Sequence, residues 1–367
     1  MCINRLNIVL FSIVSILVLA AFATSQKTYS PIILHSEKLN FTPSEFYIDD
    51  VTDDRADKIA VASLVYKDEA QGYVNRASDL KDGPAIAIKQ FINQGLQQNN
   101  KFRPVIISIK TLKLTETSQP GGRVSGHLSI DLAFDLKKDY GVQHLIAYTA
   151  GVHYTRPDGQ TDLAESTLRK GIEQALVWFN KWINDNAESD VRLARSVKVK
   201  FSDYSEKPEG DTIYYSTSRP LTWNDFKEKP SMGNFDAEIF TSIGYTETAS
   251  IDKGVIGLDM VMKVYLPKSD CWVRDRARDD YALNHEQRHF DIAKIVAEHF
   301  KQKITEMNLP PDNYDGDINV EYLETLRELY RRQMLYDKET HHGSDRYGQE
   351  QWNEKIDKEL KALSAKN

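Results

Sequence analysis

Hydrophobic and polar residues alternate over several stretches of the first two hundred residues. The clearest case is 127–136, where leucine, isoleucine and phenylalanine occupy every second position between Leu128 and Leu136. A period of two buries one face of a strand and leaves the other toward water. Further strands are predicted at 58–66, 104–114 and 144–154.

Two stretches of the same region have a helical period instead. The first helix opens at Asp82-Gly83-Pro84, where proline suits the first turn. The second follows the turn Pro157-Asp158-Gly159 and carries apolar residues at spacings of three and four, namely Leu168, Ile172, Leu176, Phe179 and Ile183. We therefore predict an antiparallel sheet with two helices on one face, forming a binding or docking domain at residues 27–204.

The chain then passes through a charged segment that contains proline and glycine, residues 205–211, which predicts a linker. A second, smaller domain is predicted at 211–367, with a short sheet followed by helices. Its strands are expected at 237–250 and 255–266, and its helices at 279–307, 319–340 and about 349–363. The predicted fold class of the whole chain is α+β.

The first residues have a different pattern. An apolar run at 6–22 follows a short basic lead, and Ala21-Phe22-Ala23 fits the site of a signal peptidase. Residues 1–25 are therefore predicted to be a signal peptide. Because the run is only slightly shorter than the roughly 20 residues that span a bilayer, an N-terminal anchor is the alternative. Either way the folded part is expected to be exported, periplasmic or secreted, with a membrane tether in the second case.

Composition narrows the function classes. Hydrophobic residues make up 41% and charged residues 28%, as in folded soluble proteins. The net charge of −7 without a basic cluster argues against nucleic acid as a partner. Loss of residues 1–25 would leave Cys271 as the only cysteine, so no intrachain disulfide is expected. Its position beside Trp272 favours a buried packing role over a nucleophile.

The motif that carries chemistry is His285-Glu286-x-x-His289. On a helix, residues four apart differ by only about 40° in direction and about 6 Å in rise, so both imidazoles can reach one ion. Zinc takes such nitrogens at about 2.0–2.1 Å, and Glu286 is placed to act as general base on a water. The alternative is a pair of core histidines satisfied by hydrogen bonds. The apolar residues that continue the histidine edge are Ile292, Val296, Phe300 and Met307.

Two further segments join this motif in one pattern. The stretches "RPLTWNDF" (219–226), "NHEQRHFD" (284–291) and "YD-x-x-T-x-HG" (336–343) resemble a bacterial domain-of-unknown-function family described as predicted secreted zinc-dependent proteases. The resemblance covers roughly residues 211–363. It implies a zincin-like fold, a Zn²⁺ ion and hydrolysis of peptide bonds in a peptide or protein substrate. The strand at 255–266 would then be the sheet edge that pairs with an extended substrate.

A third metal ligand is needed to complete the site. The longer pattern with a third histidine six residues on is absent, since Ile292 and Ile295 stand at the relevant positions. Glu324 or Glu328 on the next helix could serve. The resemblance instead favours His342, with Asp337 as the alternative ligand or as hydrogen-bond acceptor for a ligand imidazole. Candidate oxyanion donors are Tyr336, Tyr347 and His341.

These residues predict an exported zinc metallopeptidase, in which Glu286 accepts a proton from the attacking water. The alternative is a non-catalytic binding protein on a zincin-like scaffold with a structural metal site. The intact Glu286 argues against that alternative, because a structural site does not need a free carboxylate. A zinc amidase that acts on cell-wall peptide crosslinks also fits the motif.

Overall fold

The structure is a computed structural model, and it describes residues 30–205, 210–231 and 235–365. The predicted signal peptide or anchor at 1–25 lies outside the described residues, as does most of the predicted linker. Within the part that is described, none of the helices is both long enough and apolar enough to cross a membrane. The chain divides into two compact units, Met1–Phe179 and Asn180–Asn367. The fold is α+β.

The first unit is built on a sheet in the order β3-β2-β4-β5-β6, with β1 paired to β4. Its strands are β1 (Phe46–Asp53), β2 (Ala62–Asp68), β3 (Gly72–Ser78), β4 (Arg103–Gln119), β5 (Arg123–Lys138) and β6 (Gly141–Pro157). The pairs β1–β4 and β2–β4 are parallel, so the sheet is mixed and the prediction of an antiparallel sheet was wrong. Parallel neighbours need a long connection, which runs here through the first helix, α1 (Pro84–Gly95).

The second helix, α2 (Asp162–Asn186), lies on the apolar face of β5. A Cβ at Gly171 would meet the Leu128 side chain at 2.9 Å, so the glycine permits close packing of the helix on the sheet. Phe179 stacks on Phe134 with ring centroids 4.1 Å apart. The alternation that predicted β5 therefore sets the packing of this core.

The second unit contains a four-stranded sheet in the order β10-β11-β7, with β8 paired to the end of β11, and a two-stranded pair β9–β12. The strands are β7 (Ser196–Asp203), β8 (Thr212–Tyr214), β9 (Ala237–Glu238), β10 (Ser242–Asp252), β11 (Val255–Pro267) and β12 (Trp272–Val273). The helices are α3 (Asp280–Glu306), α4 (Tyr314–Thr340) and α5 (Arg346–Ser364). The core is formed by the alternate buried residues of β11 and by the apolar face of α3.

The strand predicted as a sheet edge occupies the centre of this sheet. β11 pairs with β10 along one side and with β7 and β8 along the other, so its backbone is not open to an extended substrate. The edge prediction was wrong because β7 was assigned to the first domain. β7 pairs in parallel with β11, and both strands belong to the second compact unit.

Candidate metal centre

The helix that carries the H-E-x-x-H motif begins close to it. Asp279 caps α3 by accepting a hydrogen bond from the backbone N–H of Ala282 at 2.8 Å. His285 and His289 follow on adjacent turns, with their rings perpendicular and the centroids 4.9 Å apart. His285 is buried and His289 is half-buried. Both imidazoles therefore point to the same side of α3, as the spacing predicted.

A carboxylate from the last turns of α4 meets both rings. Oδ1 of Asp337 lies 3.0 Å from Nε2 of His289 and 3.4 Å from Nε2 of His285. Two donor atoms that are each about 2.0–2.1 Å from a tetrahedral zinc ion lie about 3.3 Å apart, so these separations suit one shared ion. Among the described residues, these three form the one group of histidine, cysteine, aspartate or glutamate side chains arranged this way. We call it the His–His–Asp cluster.

The charges of the cluster act strongly on one another. Burial alone would raise the pKa of Asp337, but the hydrogen bonds and charges of His285 and His289 hold it far below its usual range. Burial alone would lower the pKa of His289, but Asp337 and Glu286 reverse the effect and raise it. Asp337 thus favours the protonated form of His289 and is itself held in the ionised form.

Glu286 lies beside the cluster without belonging to it. Its side chain is 4% exposed, and burial raises the pKa of its carboxyl. The charges of His289 and His285 lower this pKa, whereas those of Asp337 and Glu238 raise it further. None of the described residues donates a hydrogen bond to its carboxylate. A largely buried carboxylate without a hydrogen bond from the protein is costly unless it faces a cation or is reached by water. A metal ion held by the cluster, with a bound water, would supply both.

The chain reverses directly after α4. His341, His342 and Gly343 all have left-handed backbone conformations, with φ of 48°, 51° and 74°. The side chain of His342 is 50% exposed, and its Nδ1 lies 3.6 Å from Oδ1 of Asp337 while its ring contacts Phe235. The residue favoured from the sequence as third ligand is therefore next to the cluster and outside it. The geometry favours the alternative, Asp337, because Asp337 is still on the helix face that meets α3.

The remaining sequence candidates are distributed around this point. Tyr336 is fully buried, its ring stacks on His285, and its hydroxyl lies within hydrogen-bond distance of the His285 carbonyl and of Gln349. Tyr347 and His341 are exposed. The glutamates of α4 point to other partners, since Glu324 pairs with Arg327 and Glu328 accepts a hydrogen bond from His299. Neither glutamate is in the cluster.

Two residues that sequence reasoning did not single out contact the imidazoles. Nδ1 of His285 lies 2.9 Å from Oε1 of Gln349, and Nδ1 of His289 is hydrogen bonded to Oε1 of Gln333. Gln333 is four residues before Asp337, so helical spacing places both on one face of α4. This spacing could have indicated Gln333 from the sequence, but only after Asp337 had been identified as a site residue.

Gly343 gives a test of how tightly the reversal is packed. A Cβ at this position would lie 3.2 Å from Cγ of His285, on a backbone whose φ of 74° already disfavours any side chain. We expect Gly343→Ala to displace His285 and lower the thermal midpoint of unfolding, with a cost of about 1–3 kcal/mol. Differential scanning calorimetry should show this loss, whereas Gly244→Ala, where the added Cβ meets an ordinary 3.7 Å contact, should change the midpoint little.

Comparisons with known proteins cover this part of the chain. Residues 259–343 match the model of a family described as "Bacterial protein of unknown function (DUF922)". The matched segment runs from within β11 to Gly343, and so contains Glu286 and the whole His–His–Asp cluster. No curated protein matches the chain.

Three solved structures show distant similarity. A protein titled only as uncharacterized is 12% identical, with 41% of this chain and 99% of that chain covered, at a TM-score of 0.22. A Xanthomonas campestris protein of the family DUF330 is 12% identical, with coverage of 43% and 99% and a TM-score of 0.27. A minor lipoprotein of Acinetobacter baumannii is 15% identical, with coverage of 27% and 80% and a TM-score of 0.19. At these scores the similarities indicate no function.

Proposed function

We propose that the second unit is a zinc-dependent peptidase with a zincin-like site. The observation that carries the proposal is the buried Glu286 carboxylate, which accepts no hydrogen bond from the described residues and lies beside three converging metal donors. A site that only held a metal for stability would need the donors but not this carboxylate. Hydrolysis needs both.

The donor set suits zinc. Two imidazole nitrogens and one carboxylate oxygen are a ligand set of catalytic zinc sites, which keep a fourth position for water or substrate. His285, His289 and Asp337 would hold the ion through Nε2, Nε2 and Oδ1. A zinc ion bound there would supply Lewis acidity, lowering the pKa of a bound water and polarising the carbonyl group of a substrate.

Glu286 would carry the proton in the reaction. Its carboxylate oxygens would accept a proton from the attacking water and return it to the nitrogen of the leaving amine. Burial raises the pKa of Glu286 toward the range in which a carboxyl can both accept and donate near neutral pH. Peptides fit as substrates because amide hydrolysis requires protonation of the departing nitrogen. Export of the mature chain stays a prediction from residues 1–25.

Metal analysis and digestion of a peptide library test this function together. We expect the purified full chain to contain about one zinc ion, as a site with three protein ligands requires. Cleavage of library peptides should stop when a chelator removes the ion and resume when Zn²⁺ is added back. Zinc-loaded protein that cleaves no peptide, or cleavage that survives complete removal of metal, would contradict the proposal.

A further inference from the structure

The amide of Gln333 has a fixed orientation. Its Nε2 lies 2.9 Å from the backbone carbonyl oxygen of His289 and 2.9 Å from Oγ1 of Thr241. A carbonyl oxygen only accepts hydrogen bonds, so the NH₂ group must face it. Oε1 is therefore the atom that contacts Nδ1 of His289. Because Oε1 also only accepts, Nδ1 of His289 must carry a hydrogen.

The amide of Gln349 is fixed by a longer chain of contacts. Arg288 donates from Nε to the side chain of Asn353 at 3.0 Å. Because a guanidinium has only donors, the Asn353 atom at this contact must be the amide oxygen, Oδ1. Nε2 of Gln349 donates to the same oxygen at 3.0 Å. Its Oε1 therefore faces Nδ1 of His285 at 2.9 Å, and this nitrogen must also carry a hydrogen.

Both assignments have the same consequence for the other ring nitrogens. In a neutral imidazole with hydrogen on Nδ1, Nε2 has a free lone pair. Oδ1 of Asp337 and the two Nε2 atoms would then be three acceptors, with Oδ1 3.0 Å from one Nε2 and 3.4 Å from the other. Such an arrangement is repulsive unless positive charge lies between the acceptors, supplied either by protons on the Nε2 atoms in the metal-free chain or by a metal ion that replaces those protons. Each amide thus contacts one side of its imidazole ring, at Nδ1, and leaves the lone pair of Nε2 on the other side free to bind a metal.

We propose that Gln333 and Gln349 are positioning residues of the metal centre, which hold His289 and His285 with hydrogen on Nδ1 and thereby direct both Nε2 atoms at one divalent ion. The inference rests on the proposed function in taking that ion to be zinc. Hydrogen-bond acceptors behind metal-binding histidines typically change metal affinity by about 10–100-fold when removed. The same range is expected here.

The first test reads the Nδ1 hydrogens directly by NMR of full-length protein labelled with ¹⁵N-histidine. Wild-type protein should show two slowly exchanging Nδ1–H signals, without metal as well as with it. One should disappear in Gln349→Met and the other in Gln333→Met, since methionine has similar size but no strong acceptor. Two unchanged signals in both variants would overturn the inference.

The second test measures Zn²⁺ affinity by competition with a chromophoric chelator. Gln349→Met should bind Zn²⁺ about 10–100-fold more weakly. Gln349→Glu should stay within a few-fold of wild type, since it keeps the acceptor that faces His285. Gln351→Met is the matched control, because Gln351 is exposed on the same helix and should not affect binding. Equal affinity of Gln349→Met and wild type would overturn the positioning role.

The two tests separate this inference from the proposed function. A wild-type chain that binds no Zn²⁺ would remove the function, and the Nδ1–H signals alone would then decide whether the amides hold the rings. Wild-type binding with unchanged affinity in the methionine variants would leave the function and remove the positioning role. Gln349 is buried in a hydrogen-bond network, so circular dichroism of each variant checks its folding. Gln333 is only partly buried, so Gln333→Met is the second variant and is expected to disturb folding less than Gln349→Met.

Discussion

Replacement of Glu286 by glutamine is expected to abolish peptide cleavage and to leave the zinc content unchanged. Glutamine has nearly the same shape, but its amide cannot accept a proton from water or return it to a leaving amine. Positioned acid–base groups typically contribute about 10²–10⁴-fold to rate, so kcat/KM should fall by at least that range. Fold and metal ligands remain, because Glu286 is not one of the three converging donors.

Glu298→Gln is the matched control for this substitution. Glu298 is also 4% exposed and also on α3, but its carboxylate is paired with Lys294 and Lys301, away from the cluster. Its loss should affect stability, while the folded protein keeps its activity. Steady-state kinetics on a cleaved library peptide, with zinc measured in the same samples, compare the two variants. Turnover of Glu286→Gln at the wild-type rate would remove Glu286 from the proton-transfer role.

The helix of the candidate metal centre was predictable from the sequence because it depends on residues that are close together in the chain. The structure confirms a helix at Asp280–Glu306, with Ile292, Val296 and Phe300 buried on one face. Met307, which was expected to continue that face, follows the last residue of the helix and is exposed. The burial of Cys271 was predictable as well, and burial raises the pKa of its thiol to about 12. Each of these predictions depends only on residues that are close by in the sequence.

The strand order of the second sheet was harder to predict from the sequence, because it depends on pairing between residues that are distant in the chain. Nothing in the sequence of β7 shows that it pairs in parallel with β11 instead of joining the first sheet. The same limit applied to the third donor. Helical spacing shows that Asp337 shares a face with Gln333, but only the packing of α4 on α3 brings that face to His289. His342 was favoured because of the resemblance carried by the segment at 336–343, and the sequence does not show which residue of that segment faces α3.

Replacement of Asp337 by alanine is therefore expected to cost more zinc affinity than replacement of His342. Oδ1 of Asp337 contacts both Nε2 atoms, so alanine would remove one of the three proposed zinc donors. The loss should exceed the roughly 10–100-fold that outer hydrogen-bond partners contribute. His342→Ala should stay at or below that range, because the half-exposed ring of His342 meets Asp337 only at 3.6 Å.

Competition with a chelator measures both affinities, and Asp337→Asn refines the comparison. Asparagine keeps the shape and one oxygen but loses the negative charge that holds positive charge at the cluster. Its affinity should therefore fall between those of wild type and Asp337→Ala. If His342→Ala lost more zinc affinity than Asp337→Ala, the left-handed segment after α4 would have to rearrange on metal binding so that His342 becomes the third ligand. The present arrangement of donors would then describe only the metal-free chain.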